Sequence, residues 1–192
     1  MELPRLLRSA TELQQLLLNE EYQFCIIGGV AVQRWGEPRG TRDIDLSLLT
    51  GFGSESRYID TILSRLHPRI EDAAQFALLN RVLLVRDDHG VDIDISLGAM
   101  PFEERAIQRA SKYSFADDCE LVTCSATDLI VHKAFADRDQ DWVDIRGVLI
   151  RSRSHVEWNV VLQELTPLVE LKEEPVILDR LQQVYDSTDT TA

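Results

Sequence analysis

No run of the 192-residue chain stays apolar for the roughly 18–20 residues a membrane-crossing helix requires, so no membrane span is expected. The first residues, MELPRLLRSATELQQLLLNEE, are charged throughout and hold no secretory apolar core, which points to the cytoplasm. Cysteine is scarce. Cys25, Cys119 and Cys124 are odd in number and form no CxxC spacing, which argues against a disulfide scaffold; they read as reduced thiols, mostly in the core. Basic residues are few: 20 Lys and Arg against 33 Asp and Glu give a net charge of −13. General electrostatics therefore offers a bare nucleic-acid-binding module nothing, which leaves nucleic acid only as a substrate held by a local basic patch or a metal. There is no repeat and no low-complexity tract, and only the tail DSTDTTA reads as disordered. GxGxxG, a P-loop GK[ST] and GxSxG are all missing. His67, His89, His132 and His155 are scattered without metal-ligand spacing, and Trp35, Trp142 and Trp158 read as core.

What is present begins with mixed patterning. SATELQQLLLNEE predicts a helix capped by Ser9, and YQFCIIGG a strand ending in a tight turn. VAVQRWG follows as a short helix closed by Gly36 and Pro38, then RDIDLSLL as a strand. SESRYIDTILSRL is amphipathic, with Tyr58, Ile59, Ile62, Leu63 and Leu66 on one side. FALLNRVLLVRD and VDIDISLG flank Asp88-His89-Gly90 and predict a hairpin. PFEERAIQRAS is a helix opened by Pro101, and CELVTC a strand. SATDLIVHKAFA, DWVDIRGVLIRS, VEWNVVLQELTPLV and PVILDRLQQVY read as four successive helices. No Gly/Pro/Ser-rich linker intervenes. The expectation is an α+β body: an α/β core over residues 1–124, and a helical C-terminal lobe over 125–192 packed on it.

RDIDLSLL and VDIDISLG carry the chemistry. Side chains alternate along a strand, so Asp43, Asp45 and Ser47 share one face opposite Ile44, Leu46 and Leu48. Asp92, Asp94 and Ser96 likewise oppose Ile93, Ile95 and Leu97. One reading is a solvated sheet face. Against it, Asp is depleted in strands, and like charges on neighbouring strands repel. Carboxylates brought close must shift their pKa values or take up a cation. Hard oxygen donors without nearby His or Cys favour Mg²⁺ or Mn²⁺ over zinc, and two such ions would remove the repulsion.

CIIGGVAV places Gly28 and Gly29 between a strand and a helix. Backbone amides there can approach phosphate oxygens at a helix N-terminus; a plain tight turn accounts for two glycines equally well. The order is more specific than its parts: IGG at 27–29, DIDL at 43–46 and VDIDI at 91–95. It resembles the nucleotidyltransferase superfamily, that of DNA polymerase beta, with its pattern hG[GS], [DE]h[DE]h and a distant h[DE]h. GGVAVQRWGEPRGTRDIDL, DISLGAMPFEE and DLIVHKAFADRDQDWVDIRGVL look like the small bacterial nucleotidyltransferases of the abortive-infection toxin type. The resemblance covers most of residues 24–150; the last forty residues add no motif.

The resemblance implies a nucleotidyltransferase fold, with a mixed central sheet flanked by helices. It implies two Mg²⁺ ions held by three carboxylates, and transfer of a nucleoside monophosphate from an NTP, such as ATP, to a hydroxyl acceptor. That acceptor would be a tRNA, a protein or a small molecule, and a toxin–antitoxin setting would add an antitoxin protein as partner. Asp43 and Asp45 would be shared metal ligands. Asp94, with Asp92 as the alternative, would be the third carboxylate, beside the acceptor hydroxyl. Gly28 and Gly29 would cradle the triphosphate. Arg42 would reach phosphates or brace the aspartates, or simply be solvated. Lys133 lies on a largely apolar helix and would reach a β- or γ-phosphate; otherwise it snorkels, paired with Asp137. ADRDQDWVD reads as a helix–turn–helix junction with capping aspartates, Asp141 or Asp144 bracing Lys133 or Arg146. A non-catalytic interaction protein on the same fold is the rival expectation.

Overall fold

A computed structural model of the chain describes residues 4–189. Its elements run α1 (Arg5–Asn19), β1 (Phe24–Ile26), α2 (Gly28–Trp35), β2 (Asp43–Leu49), α3 (Glu55–Leu63), β3 (His67–Pro68), α4 (Ala73–Asn80), β4 (Val82–Arg86), β5 (Asp92–Gly98) and α5 (Pro101–Gln108). They continue with β6 (Ser111–Ala116), β7 (Cys119–Thr123), α6 (Ala126–Ala136), α7 (Asp139–Ser152), a 3-10 turn at Arg153–His155, α8 (Trp158–Lys172) and α9 (Val176–Ser187). The chain divides into two units. The first holds the described residues up to Val30 and Gly40–Cys124; the second holds Ala31–Arg39 and the described residues from Ser125 onward.

The first unit is α+β, built on one mixed sheet in the order β3-β4-β5-β2-β1-β7-β6. Its centre is the β2–β5 pair, parallel and in register from Asp43↔Asp92 to Leu49↔Gly98. The aliphatic face of both strands fixes that register. Ile44, Leu46, Leu48, Ile93 and Ile95 are 0% exposed and Leu97 1%. Each such side chain stabilises the fold by about 1.5–3 kcal/mol, and a one-residue slip of either strand would turn its three out of the core. They pack with Leu13 and Leu17 of α1, Tyr58, Ile59 and Ile62 of α3, and Ala73 and Ala77 of α4. Gln14 ties α1 to β7, donating to Glu120 O at 2.8 Å and accepting from Val122 N at 2.7 Å.

The hairpin β4–β5 is antiparallel, as its turn chemistry predicts. Asp87 Oδ1 accepts the backbone N–H of His89 at 3.0 Å and of Val91 at 2.8 Å, and Gly90 supplies φ +75°. His89 sits in that turn. All three cysteines are buried, and none of them forms a disulfide among the described residues.

Some expectations need correction. Ser9 is not a cap: α1 begins at Arg5 after Pro4, and Ser9 lies inside it, 1% exposed. Residues 76–80 of the expected hairpin strand belong instead to α4. AAQFALLN is made of good helix formers, but its apolar residues circle the helix and show no period. Asp72 and Arg81, both left-handed, bracket that helix. The helix expected to reach Ser111 stops at Gln108, because Ser111 opens β6, which pairs with β7 at the edge of the described sheet. Asp186 and Ser187 of the expected disordered tail are helical, and 190–192 lie outside the described residues.

The second unit is helical. α6 is capped by Ser125, whose Oγ accepts Asp128 N–H at 3.0 Å. Leu129, Ile130, Trp142, Ile145, Leu149, Val161, Leu165 and Leu181 are buried. Trp35 and Trp158 are only partly covered, unlike Trp142.

Candidate active site

The parallel register lines up two rows across the first unit's sheet. One runs His67, Arg86, Asp92, Asp43; the other runs Leu84, Asp94, Asp45. Neighbouring strands lie about 4.8 Å apart, so four carboxylates share one small patch of one face. Asp43 is exposed, and Asp45, Asp92 and Asp94 are half-buried.

The two glycines sit against this patch. Gly28 has φ +58°, and a Cβ there would lie 1.9 Å from Asp45 Oδ2 and 2.6 Å from its Cβ. A Cβ on Gly29 would meet Thr41 Oγ1 at 2.4 Å. The glycine turn therefore makes room for the Asp45 side chain and for Thr41. The Gly29 N–H points to Asp45 Oδ2 at a long 3.4 Å, and Thr41 Oγ1 donates to Asp43 Oδ1 at 2.8 Å.

Two arginines that sequence reasoning missed hold the β5 carboxylates. Arg86 Nε donates to Asp92 Oδ1 at 2.5 Å. Arg69 Nη1 donates to Asp94 Oδ1 at 2.6 Å and lies 3.8 Å from Asp92 Oδ2. The Arg86 hydrogen bond, with the Arg69 charge adding to it, outweighs partial burial and holds the Asp92 carboxyl below its ordinary range; Arg86 is raised in turn. Arg86 was legible, since the short hairpin turn sets it opposite Asp92. Arg69 had no local signal. Ser47, on the carboxylate face, is 0% exposed, and its Oγ has no hydrogen-bond partner among the described residues.

The donor chemistry suits a hard divalent ion. These are carboxylate oxygens on one face, two of them already drawing a guanidinium where a cation would stand. Among the described residues, however, no three His, Cys, Asp or Glu side chains converge as a ready metal site.

Arg42 is exposed. Lys133 lies in the second unit, 5% exposed, with Nζ 2.7 Å from Asp141 Oδ1 and 2.8 Å from Asp144 Oδ2. Its partner is thus not Asp137, which caps the end of α6 in a left-handed conformation and accepts from Trp142 Nε1 at 2.6 Å. The bracing aspartates are Asp141 and Asp144, and they act on Lys133. Arg39 forks onto both oxygens of Asp144 at 2.8 Å each. Burial alone would raise Asp144; hydrogen bonds from Arg39, Lys133 and Gln140 overcome it and bring the carboxyl to about 2. Asp141 is lowered in the same way, by Arg138 and Lys133 against burial.

No protein-family model matches the sequence, and no curated protein matches it. Solved structures do. The antibiotic-resistance factor ANT(2'')-Ia superposes with a TM-score of 0.51 at 11% identity, over 92% of this chain and 96% of its own. An antigenic nucleotidyltransferase-like protein from Paracoccidioides brasiliensis gives 0.49 at 14%, over 93% and 92%. Lincomycin-bound lincosamide antibiotic adenylyltransferase LnuA gives 0.49 at 12%, over 73% and 94%. The mixed sheet, the strand order that joins β2 to β5 and the ANT(2'')-Ia superposition agree: the chain has the nucleotidyltransferase fold.

Proposed function

We propose that the chain is a divalent-metal-dependent nucleotidyltransferase that moves a nucleoside monophosphate from an NTP to a hydroxyl acceptor. The observation that carries this reading is the in-register pairing of Asp43 with Asp92 and Asp45 with Asp94 beside the Gly28–Gly29 turn. Asp43, Asp45 and Asp94 would hold the ions, Mg²⁺ or Mn²⁺, with Asp92 held back by Arg86. When bound, two such ions neutralise charge on the attacking and leaving oxygens of an in-line displacement.

The chain's own residues supply the rest. Gly28 and Gly29 let backbone approach closely, and the exposed Arg42 is available to phosphate. Thr41 orients Asp43 through its hydroxyl. Asp94 accepts from Arg69 at Oδ1, so Oδ2 is the oxygen that would take the acceptor hydroxyl's proton. Lys133, sequestered by Asp141 and Asp144, would have to leave two ion pairs to contact phosphate; its role in this reading is to position the Arg39–Asp144 contact. A tRNA, a protein or a small molecule are the acceptor classes. The net charge of −13 favours a cationic small molecule over RNA. A toxin role with an antitoxin partner follows from the motif resemblance alone.

The arginine-held β5 carboxylates favour a second reading, a non-catalytic interaction protein on this fold. Calorimetric titration of each NTP, with Mg²⁺ and with EDTA, separates the two. Metal-dependent binding that Asp43→Asn with Asp45→Asn abolishes supports the enzyme, and labelled nucleotide then reports transfer. Absence of NTP binding by the folded chain supports the interaction protein.

A further inference from the structure

Arg69 completes the second carboxylate row. Its backbone N–H donates to Leu84 O at 3.1 Å, Leu84 pairs with Asp94, and Asp94 pairs with Asp45. That line brings the Arg69 guanidinium to Asp94, and Asp92 of the other row lies 3.8 Å from it. The contact is close to Asp94 Oδ1, at 2.6 Å, yet open: the Arg69 side chain is 22% exposed and that of Asp94 37%. A guanidinium keeps its charge at any working pH. It neutralises Asp94 as a metal would, with half the charge of a divalent ion. Arg86 differs, because it grips Asp92 in the other row and stands 52% exposed.

A monovalent and a divalent cation about 6 Å apart repel, in a water-like dielectric, by enough to change affinity roughly tenfold. Resting on the nucleotidyltransferase reading, we infer that Arg69 is a resident counter-ion of Asp94 that a divalent metal must displace, so that the nucleotide-free protein takes up the ion weakly. Arg69 is a positioning residue in this scheme: it acts through Asp94 and sets when the ion enters.

The test is calorimetric titration of Mn²⁺, without nucleotide, into the native chain and the Arg69→Ala, Arg69→Lys and Asp45→Asn variants. Arg69→Ala is expected to bind Mn²⁺ roughly tenfold more tightly than the native chain, and Arg69→Lys close to native. In EDTA the unfolding midpoint of Arg69→Ala falls, and Mn²⁺ raises it by more than it raises the native one, because the ion replaces the lost counter-charge. A mere structural brace would show no such rescue. Equal or weaker Mn²⁺ binding by Arg69→Ala, with binding lost in Asp45→Asn, overturns the counter-ion role and leaves the metal-dependent reading standing. No Mn²⁺ binding by any of the folded chains, Arg69→Ala included, also overturns the counter-ion role, and the NTP titration with Mg²⁺ and EDTA then decides the enzyme reading separately.

Discussion

Gly28→Ala tests why the strand-to-helix turn carries glycine. The new methyl would stand 1.9 Å from Asp45 Oδ2 and 2.6 Å from Asp45 Cβ. Rotating the Asp45 side chain moves its carboxylate but leaves its Cβ in place, so relief requires the backbone of β2 or of the turn to shift. The left-handed conformation at φ +58° adds about 1–2 kcal/mol for any residue with a Cβ. Forced overpacking adds about 1–3 kcal/mol. The total, about 2–5 kcal/mol, corresponds to a melting shift on the order of 10 °C for a chain of this size. Thermal and urea unfolding of Gly28→Ala, Gly29→Ala and Gly40→Ala are expected to rank in that order of loss. Gly29 has no left-handed strain, and its neighbour Thr41 lies in a loop that can give. A Cβ added at Gly40 would meet no described atom within 4 Å beyond its chain neighbours, so Gly40→Ala should stay within about 0.5 kcal/mol of native. Gly28→Ala should also weaken metal-dependent NTP binding, since Asp45 is the group displaced. A Gly28→Ala chain within 1 kcal/mol of native by the same unfolding assay, with NTP binding intact, would refute the close-approach reasoning.

Asp144 predicts acid sensitivity. Its folded pKa of about 2 lies below the ordinary 3.8, so its contribution is fully present above pH ~4 and is lost as pH falls toward 2; the shift corresponds to about 2 kcal/mol. Urea midpoints across that window should fall steeply in the native chain and less so in Asp144→Asn; equal slopes would count against it. Lys133→Met leaves two buried carboxylates short of a partner and should cost about 3–5 kcal/mol by chemical denaturation; a loss under 1 kcal/mol would show the network to be dispensable. Ser47→Ala removes a buried hydroxyl with no hydrogen-bond partner among the described residues, so stability should be unchanged or rise by up to about 1 kcal/mol; a clear loss would mean that the hydroxyl holds a partner.

Local pattern was enough to read the alternation of Asp with Ile and Leu, the glycine turn, the hairpin turn at Asp88-His89-Gly90 and the four C-terminal helices, because each depends on residues a few positions apart. The same adjacency misled at 76–80, where helix formers without a period passed for a strand. At Lys133 it offered Asp137 at i+4 beside the more distant Asp141 or Asp144. Asp141 and Asp144 hold Lys133 instead, since α7 turns back after α6 and presents both carboxylates.

The sequence by itself determined that two strands carry carboxylates on one face and aliphatics on the other, since alternation is a property of any extended chain. That those strands lie parallel and in register, setting Asp45 beside Asp94, was decided only by the tertiary structure, through burial of six aliphatic side chains. The same holds for Arg69, which is 25 residues from Asp94 along the chain. Only the sheet's cross-strand order brings its charge to that carboxylate, and no local propensity encodes a contact made across strands.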